Sequence, residues 1–132
     1  MYTKAFIPYK DYYSTPFCRW QGSIANENAI SLSANTSKNW FAQKDFDVNN
    51  LDYLIFGNTI GQHHQFYSSP WAAALLGANA LSAVAISKAC TTGATCINQA
   101  AMGIENGLYE SPYVLTADRT SNGPHKIGRA HV

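Results

Sequence analysis

Cys90 is the residue of this chain best placed by its surroundings to act as a nucleophile. The apolar run Ala83 to Ser87 reads as a strand, and it passes through Lys88-Ala89 into a helix expected from about Cys90 to Glu105, closed by Asn106-Gly107. In open α/β sheets, ligands and reactive groups gather at the carboxyl ends of strands, beside helix N-termini. The positive end of such a helix favours a thiolate over a thiol, and the backbone N–H groups of Thr91, Thr92 and Gly93 could hold negative charge nearby. A thiolate there would be a competent nucleophile. Gly93 lets a ligand or another backbone approach the first turn closely. The same spacing also suits a small buried cysteine, a common fate of a free thiol.

Other reactive groups offer less. Cys96 lies about 240° around the helix from Cys90 and nearly two turns below it, so the two thiols cannot share a site. Their separation of about 9 Å along the axis also exceeds the roughly 7 Å a disulfide can bridge. His63-His64 lie at a loop start and His125 near the chain's end, without a carboxylate or Cys at ligand spacing; they read as solvated, and no metal site is expected. The chain has no Gly-x-Ser-x-Gly elbow and no phosphate-cradling glycine loop. Tyr12-Tyr13 and Trp71 read as packing residues, and Lys88 receives no role.

The elements that must position Cys90 follow from the hydrophobic pattern. Ala5-Phe6-Ile7 reads as a short strand, followed to about Asn26 by a long loop rich in polar aromatics. Asn26 or Asn28 can cap a helix whose narrow stripe is Ala29, Ile30, Ser33, Ala34, Ser37, Trp40 and Phe41. Leu51 to Ile60, centred on Tyr53-Leu54-Ile55-Phe56, reads as a strand buried on both faces, with Gly57 and Gly61 where it ends. Pro70 suits the first turn of a helix ending near Gly77. In the Cys90 helix, Gly93, Ala94, Ile97, Ala100, Ala101, Met102, Gly103 and Ile104 are apolar or small on nearly every side, which predicts a helix surrounded by protein. A last strand is expected over Tyr113 to Ala117. The alternation is that of an α/β domain with at least partly parallel strands.

Composition narrows the function classes. Of 132 residues, 46% are hydrophobic and 13% charged, about half the usual share of roughly 25%, so a largely buried framework is expected. A net charge of +1 supplies no field for nucleic acid or anionic lipid. Pro70 to Ile86 is apolar for about the length of the shortest spanning helices, but Gly77, Asn79 and Ser82 interrupt it, and it reads better as a buried helix followed by a buried strand. Three cysteines without paired spacing, and no signal-like start, point to a reducing, cytoplasmic setting.

The run from Val84 to Gly107 resembles the nucleophile region of the thiolases. In that family a strand ends in a Cys, a small pair follows, and an Ala-rich buried helix ends in Ile-x-x-Gly. Ser14-Thr15-Pro16-Phe17 resembles the family's early Arg-Thr-Pro-Phe, with Ser14 in place of Arg, and Gly22-Ser23 its following Gly-Ser. Asp52 to Gly57 resembles the strand ending in Gly, and Pro70 to Gly77 the Pro-x-x-x-x-Ala helix. Tyr113 to Pro124 is similar to the strand and loop written Gly-Gly-x-Glu-x-Met-Ser-x-x-Pro, here ending Ala117-Asp118-Arg119-Thr120-Ser121-Asn122-Gly123-Pro124. The departures at Ser14 and at Ala117-Asp118-Arg119 mark a divergent branch.

The resemblance implies thioester chemistry. Cys90 would attack the carbonyl of an acyl-coenzyme A, carry the acyl group, and pass it to a second thioester or back to free coenzyme A. Coenzyme A thioesters enter as substrates, with no resident cofactor; no coenzyme A contact is assigned. The resemblance also implies a homo-oligomeric full-length protein that does not bind nucleic acid or a membrane. The family's activating His, in a Gly-His-Pro motif, and its second Cys do not occur in this sequence. A ketoacyl synthase-type condensing enzyme and a non-catalytic, thiolase-like protein binding acyl-coenzyme A or a partner are the competing readings.

The fold implied is the N-terminal half of a thiolase over 1–126, an incomplete α/β layer with about four of five strands in a mixed sheet of order 3-2-1-4-5. Strand four would then be an open edge, and the Cys90 helix would lack the half that covers it. Ile127 to Val132 translate consecutive codons of a widely used sequencing adapter, ATC GGA AGA GCA CAC GTC, and 127–132 is read as a non-native tail.

Overall fold

A computed structural model describes residues 1–61, 63–78 and 80–119. Its elements are α1 (Ala29–Gln43), β1 (Tyr53–Gly57), α2 (Ser68–Leu76), β2 (Ser82–Ile86), α3 (Thr92–Glu105) and β3 (Pro112–Thr116). The loop Thr120 to Pro124, His125 and the tail 127–132 lie outside the described residues.

Helix starts and stops follow local chemistry. The Asn28 side chain caps α1 by accepting from the Ile30 and Ser31 amides, at 2.9 and 3.4 Å. Ala29, Ile30, Ala34, Ser37 and Phe41 form its buried stripe. α2 ends at Gly77, whose φ of 92° places it in the left-handed region that a side chain disfavours. The apolar stretch from Pro70 to Ile86 is thus divided between α2 and β2, and no helix among the described residues is long and apolar enough to cross a membrane.

The three strands form a parallel sheet of order β2-β1-β3. Parallel pairing requires crossovers, and α2 and α3 supply them. Side chains alternate across β1. Leu54 and Phe56 enter one core with Ile30, Ala34 and Phe41 of α1, Ala72, Ala73 and Leu76 of α2, and Leu115 of β3. Ile55 faces the other way, onto Cys96 and Ala100 of α3. Leu54, Ile55 and Phe56 are fully buried, because β1 alone has a strand on each side and a helix layer on each face.

Three expectations are corrected. Ala5-Phe6-Ile7 is not a strand: the place expected for it is closed by the direct pairing of β1 with β3, and Phe6 and Ile7 are exposed. The segment is held instead by Glu105 at the end of α3, whose carboxylate accepts from the Thr3, Lys4 and Ala5 amides at 2.6, 2.6 and 2.9 Å. The direct β1–β3 pairing likewise excludes the order 3-2-1-4-5, since no strand lies between the second and fourth expected strands. The described sheet therefore has three strands, all parallel, where four in a mixed sheet were expected. Helix α3 is open on one side, in line with the expectation that it lacks the half that covers it. Thr92, Cys96, Ala100 and Gly103 are buried, whereas Ile97 and Met102 are about half exposed.

The Glu105 clamp has a pH signature. Amides of Lys4 and Ala5, then Thr3, stabilise the carboxylate and hold it down to about 2 from an ordinary 4.5. A depressed folded-state pKa contributes stability above the unfolded value and loses it as pH falls through the folded one. The amino-terminal segment is therefore expected to release between about pH 4.5 and 2, read as lost protection of the Lys4 and Ala5 amides relative to their intrinsic exchange rates at each pH. Equal protection at both ends of that range would refute the clamp.

A second tether joins the long amino-terminal loop to the core. Tyr113 on β3 donates to Ser37 Oγ at 3.0 Å, which also pairs with the Tyr13 hydroxyl at 2.8 Å. Burial pushes the Tyr113 phenol well above its ordinary range. A raised folded-state pKa means that stability present below about pH 10 is lost at more alkaline pH. Tyr113→Phe is expected to cost about 1 kcal/mol in urea unfolding and to lessen that alkaline loss; an unchanged alkaline profile would exclude Tyr113 as its source.

Candidate active site

Cys90 lies on a single helical turn, Ala89–Thr91, between the carboxyl end of β2 and the start of α3. Its side chain is exposed, and Cys96 two turns on is fully buried. Burial pushes the Cys96 thiol up, away from the thiolate that a nucleophile needs. The two thiols thus face different environments, Cys90 on the exposed turn and Cys96 within α3.

The turn carries local strain. Ala89 has φ 48°, a left-handed conformation in which its Cβ crowds the backbone. Thr92 closes the turn from within: its hydroxyl accepts from the Lys88 amide at 2.7 Å and donates to the Ala89 carbonyl at 2.8 Å. Thr91 donates to the Lys88 carbonyl at 2.8 Å. The Thr59 hydroxyl, just beyond β1, also donates to the Ala89 carbonyl, at 3.1 Å.

The loops after the three strands meet at this end of the sheet. Asp118, following β3, accepts from the Thr59 and Ile60 amides at 2.8 and 2.7 Å through one carboxylate oxygen. The Ala117 amide donates to the Gly57 carbonyl at 3.0 Å, and the Asn58 amide to that of Ile86 at 3.1 Å. Asn58 is buried, with its side chain facing the Ile60 carbonyl and Gln65. Arg119 is also buried, its guanidinium bonded to the Ala25 and Glu27 carbonyls. It thereby ties the loop after β3 to the chain leading into α1.

Gly57 sets how closely α3 approaches β1. A Cβ there would lie 2.7 Å from Cys96 Sγ and 2.9 Å from Thr92 Cγ2. Only hydrogen at this position lets the Cys90 helix sit against the central strand.

Thr59, Thr92, Asp118 and Arg119 were not singled out by sequence reasoning as a connected group. Asp118 and Arg119 entered only as a departure from a motif, although a carboxylate directly after a parallel strand was the available signal. His63 and His64 are exposed, with rings 4.2 Å apart, and His64 meets the edge of Trp71. An open depression there, lined by His64, Tyr67, Pro70 and Trp71, does not include Cys90. Among the described residues no three His, Cys, Asp or Glu side chains converge as a metal site.

Parallel strands with helices on both faces and polar loops gathered at their carboxyl ends define an α/β layer of the ligand-facing kind. The sequence profile of the family described as thiolase, N-terminal domain, matches residues 11–129. The chain belongs to the thiolase family. Among solved structures, the crystal structure of the Bacillus anthracis acetyl-CoA acetyltransferase is similar to it, with a TM-score of 0.68 and 17% sequence identity. The match covers 86% of this chain and 32% of that one, so the chain spans about a third of that relative's length. Among curated protein sequences no match was found.

Proposed function

We propose that this chain is the nucleophile-bearing part of a larger thiolase-type acyltransferase, in which Cys90 accepts an acyl group from an acyl-coenzyme A. The observation that carries the reading is the exposed Cys90 on a strained turn between a parallel strand and the amino end of α3. Family membership and the similarity of fold to an acetyl-CoA acetyltransferase support it.

In the proposed step, the Cys90 sulfur forms a bond to the thioester carbonyl carbon while the bond to the coenzyme A sulfur breaks. The coenzyme A thiolate leaves with the electron pair and takes up the proton that the Cys90 thiol gave up. The acyl group then returns to free coenzyme A by the reverse exchange, or the α-carbanion of a second thioester, its proton taken by a base from the rest of the enzyme, bonds to the acyl carbon as the Cys90 thiolate leaves with the electron pair of the broken C–S bond. Neither route changes a net oxidation state, so no redox partner is required.

Incubating the full-length gene product with acetyl-coenzyme A and mapping peptides by mass tests this. One acetyl group is expected on the Cys90 peptide, removed by added coenzyme A and absent in Cys90→Ser. Acetylation confined to Cys18, or none on any cysteine while the protein still turns over thioesters, would refute the assignment.

A further inference from the structure

The loops after β1 and β3 are joined to the Cys90 turn through the side chains of Thr59 and Asp118. Ala89 adopts φ 48°, which an alanine leaves readily for the right-handed or extended regions unless its surroundings hold it. Its carbonyl accepts from two hydroxyls, Thr92 Oγ1 at 2.8 Å and Thr59 Oγ1 at 3.1 Å. Thr92 is 4% exposed, so its hydroxyl is shielded from water on the side of α3, whereas Ala89 itself lies at the surface. The same Thr92 hydroxyl accepts from Lys88, on the other side of the strained residue. Thr59 is in turn fixed by Asp118, which holds its amide and the next one.

We propose that Asp118, Thr59 and Thr92 form a positioning relay that holds the Cys90 turn in its reactive arrangement. The inference rests on the reading of Cys90 as a nucleophile. None of the three touches the reacting atoms in this scheme. Their effect runs from the loop after β3, across the end of β1, to the Ala89 carbonyl. It keeps the thiol beside the first turn of α3 instead of letting the turn relax.

Competitive alkylation tests the relay. The full-length gene product is treated with limiting iodoacetamide, and the ratio of modification at Cys90 to that at exposed Cys18 is read by peptide mass. Thr92→Val and Asp118→Ala are expected to lower this ratio about tenfold, the factor expected when roughly one net hydrogen bond is lost. Thr92→Ser keeps the hydroxyl and Asp118→Asn keeps an acceptor oxygen, and both should restore the ratio to within about twofold. A merely structural role would lower the melting temperature without this pattern, and unfolding would move the ratio to that of the wild-type chain in guanidinium. An unchanged ratio in Thr92→Val and Asp118→Ala that retain native circular dichroism overturns the relay. If Thr92→Val does not fold, Thr59→Val removes the second hydroxyl and carries the same expectation. Acetylation of Cys90 with a ratio unmoved by the variants would remove the relay alone. A ratio that moves without acetylation by acetyl-coenzyme A would remove the acyl-acceptor reading alone.

Discussion

Cys90→Ser is expected to lower thioester exchange in the full-length gene product by at least about 10³-fold, the scale on which removing a nucleophile acts. A serine hydroxyl is far less ionised than a thiol at neutral pH. Because the Cys90 side chain is exposed, the same change should alter unfolding free energy by no more than about 0.5 kcal/mol. Exchange of labelled coenzyme A into acetyl-coenzyme A, alongside urea unfolding, separates the two effects. Cys96→Ser should behave in the opposite way: its thiol is fully buried between α3 and β1, so stability falls by about 1–3 kcal/mol while acyl transfer per folded molecule persists. Cys90→Ser protein that keeps more than a tenth of wild-type exchange would require another nucleophile.

Gly57→Ala is expected to be among the most damaging single-methyl insertions in the chain. The new Cβ would lie 2.7 Å from Cys96 Sγ, 2.9 Å from Thr92 Cγ2 and 3.0 Å from Thr116 Cγ2. Those atoms belong to α3 and β3, so relief requires the helix to lift from the central strand or the sheet to open. Overpacking of this kind costs about 1–3 kcal/mol, and three simultaneous contacts place the expectation at the upper end. Cys96 is the nearest obstacle, so Gly57→Ala combined with Cys96→Ala should cost clearly less than the sum of the two single changes. Since Thr92 moves with α3, Cys90 alkylation should also change in Gly57→Ala. Additive costs, or a loss below about 0.5 kcal/mol, would show that α3 does not sit this close to β1.

Much of the local structure is readable from short stretches of sequence. Asn28 as a cap, the stripe from Ala29 to Phe41, Gly77 at the end of α2 and the apolar run through Tyr53–Gly57 all act over one or two turns or a single strand, so neighbouring residues carry the information. The strand-to-helix passage at Cys90 is local in the same sense. The resemblance to thiolases spans most of the chain because those local patterns recur in the same order, and the family profile covers residues 11–129.

Strand partnership is a different kind of information. Ala5-Phe6-Ile7 has the composition of a strand, yet the place expected for it between β1 and β3 is closed because those two strands pair directly. Nothing within Ala5-Phe6-Ile7 reports that pairing, nor that Glu105, a hundred residues later, binds the preceding amides. The burial of α3 likewise depends on partners outside its own segment. Small and apolar residues surround its axis in sequence, but its buried residues face the sheet, leaving Ile97 and Met102 open.

The sparse charge that first marked this chain as well buried therefore has two origins. Part of it belongs to a core that short-range pattern specifies: Leu54 and Phe56 toward α1 and α2, Ile55 toward α3. Part belongs to apolar surface that remains exposed. The identity of Cys90 as the candidate reactive residue is written in its own neighbourhood, because a thiol between a strand and a helix is a contiguous pattern. How its turn is held is not, because Thr59 follows β1, Thr92 opens α3 and Asp118 follows β3. Hydrogen bonds between residues tens of positions apart exist only once parallel pairing has aligned Gly57, Ile86 and Thr116 at one end of the sheet.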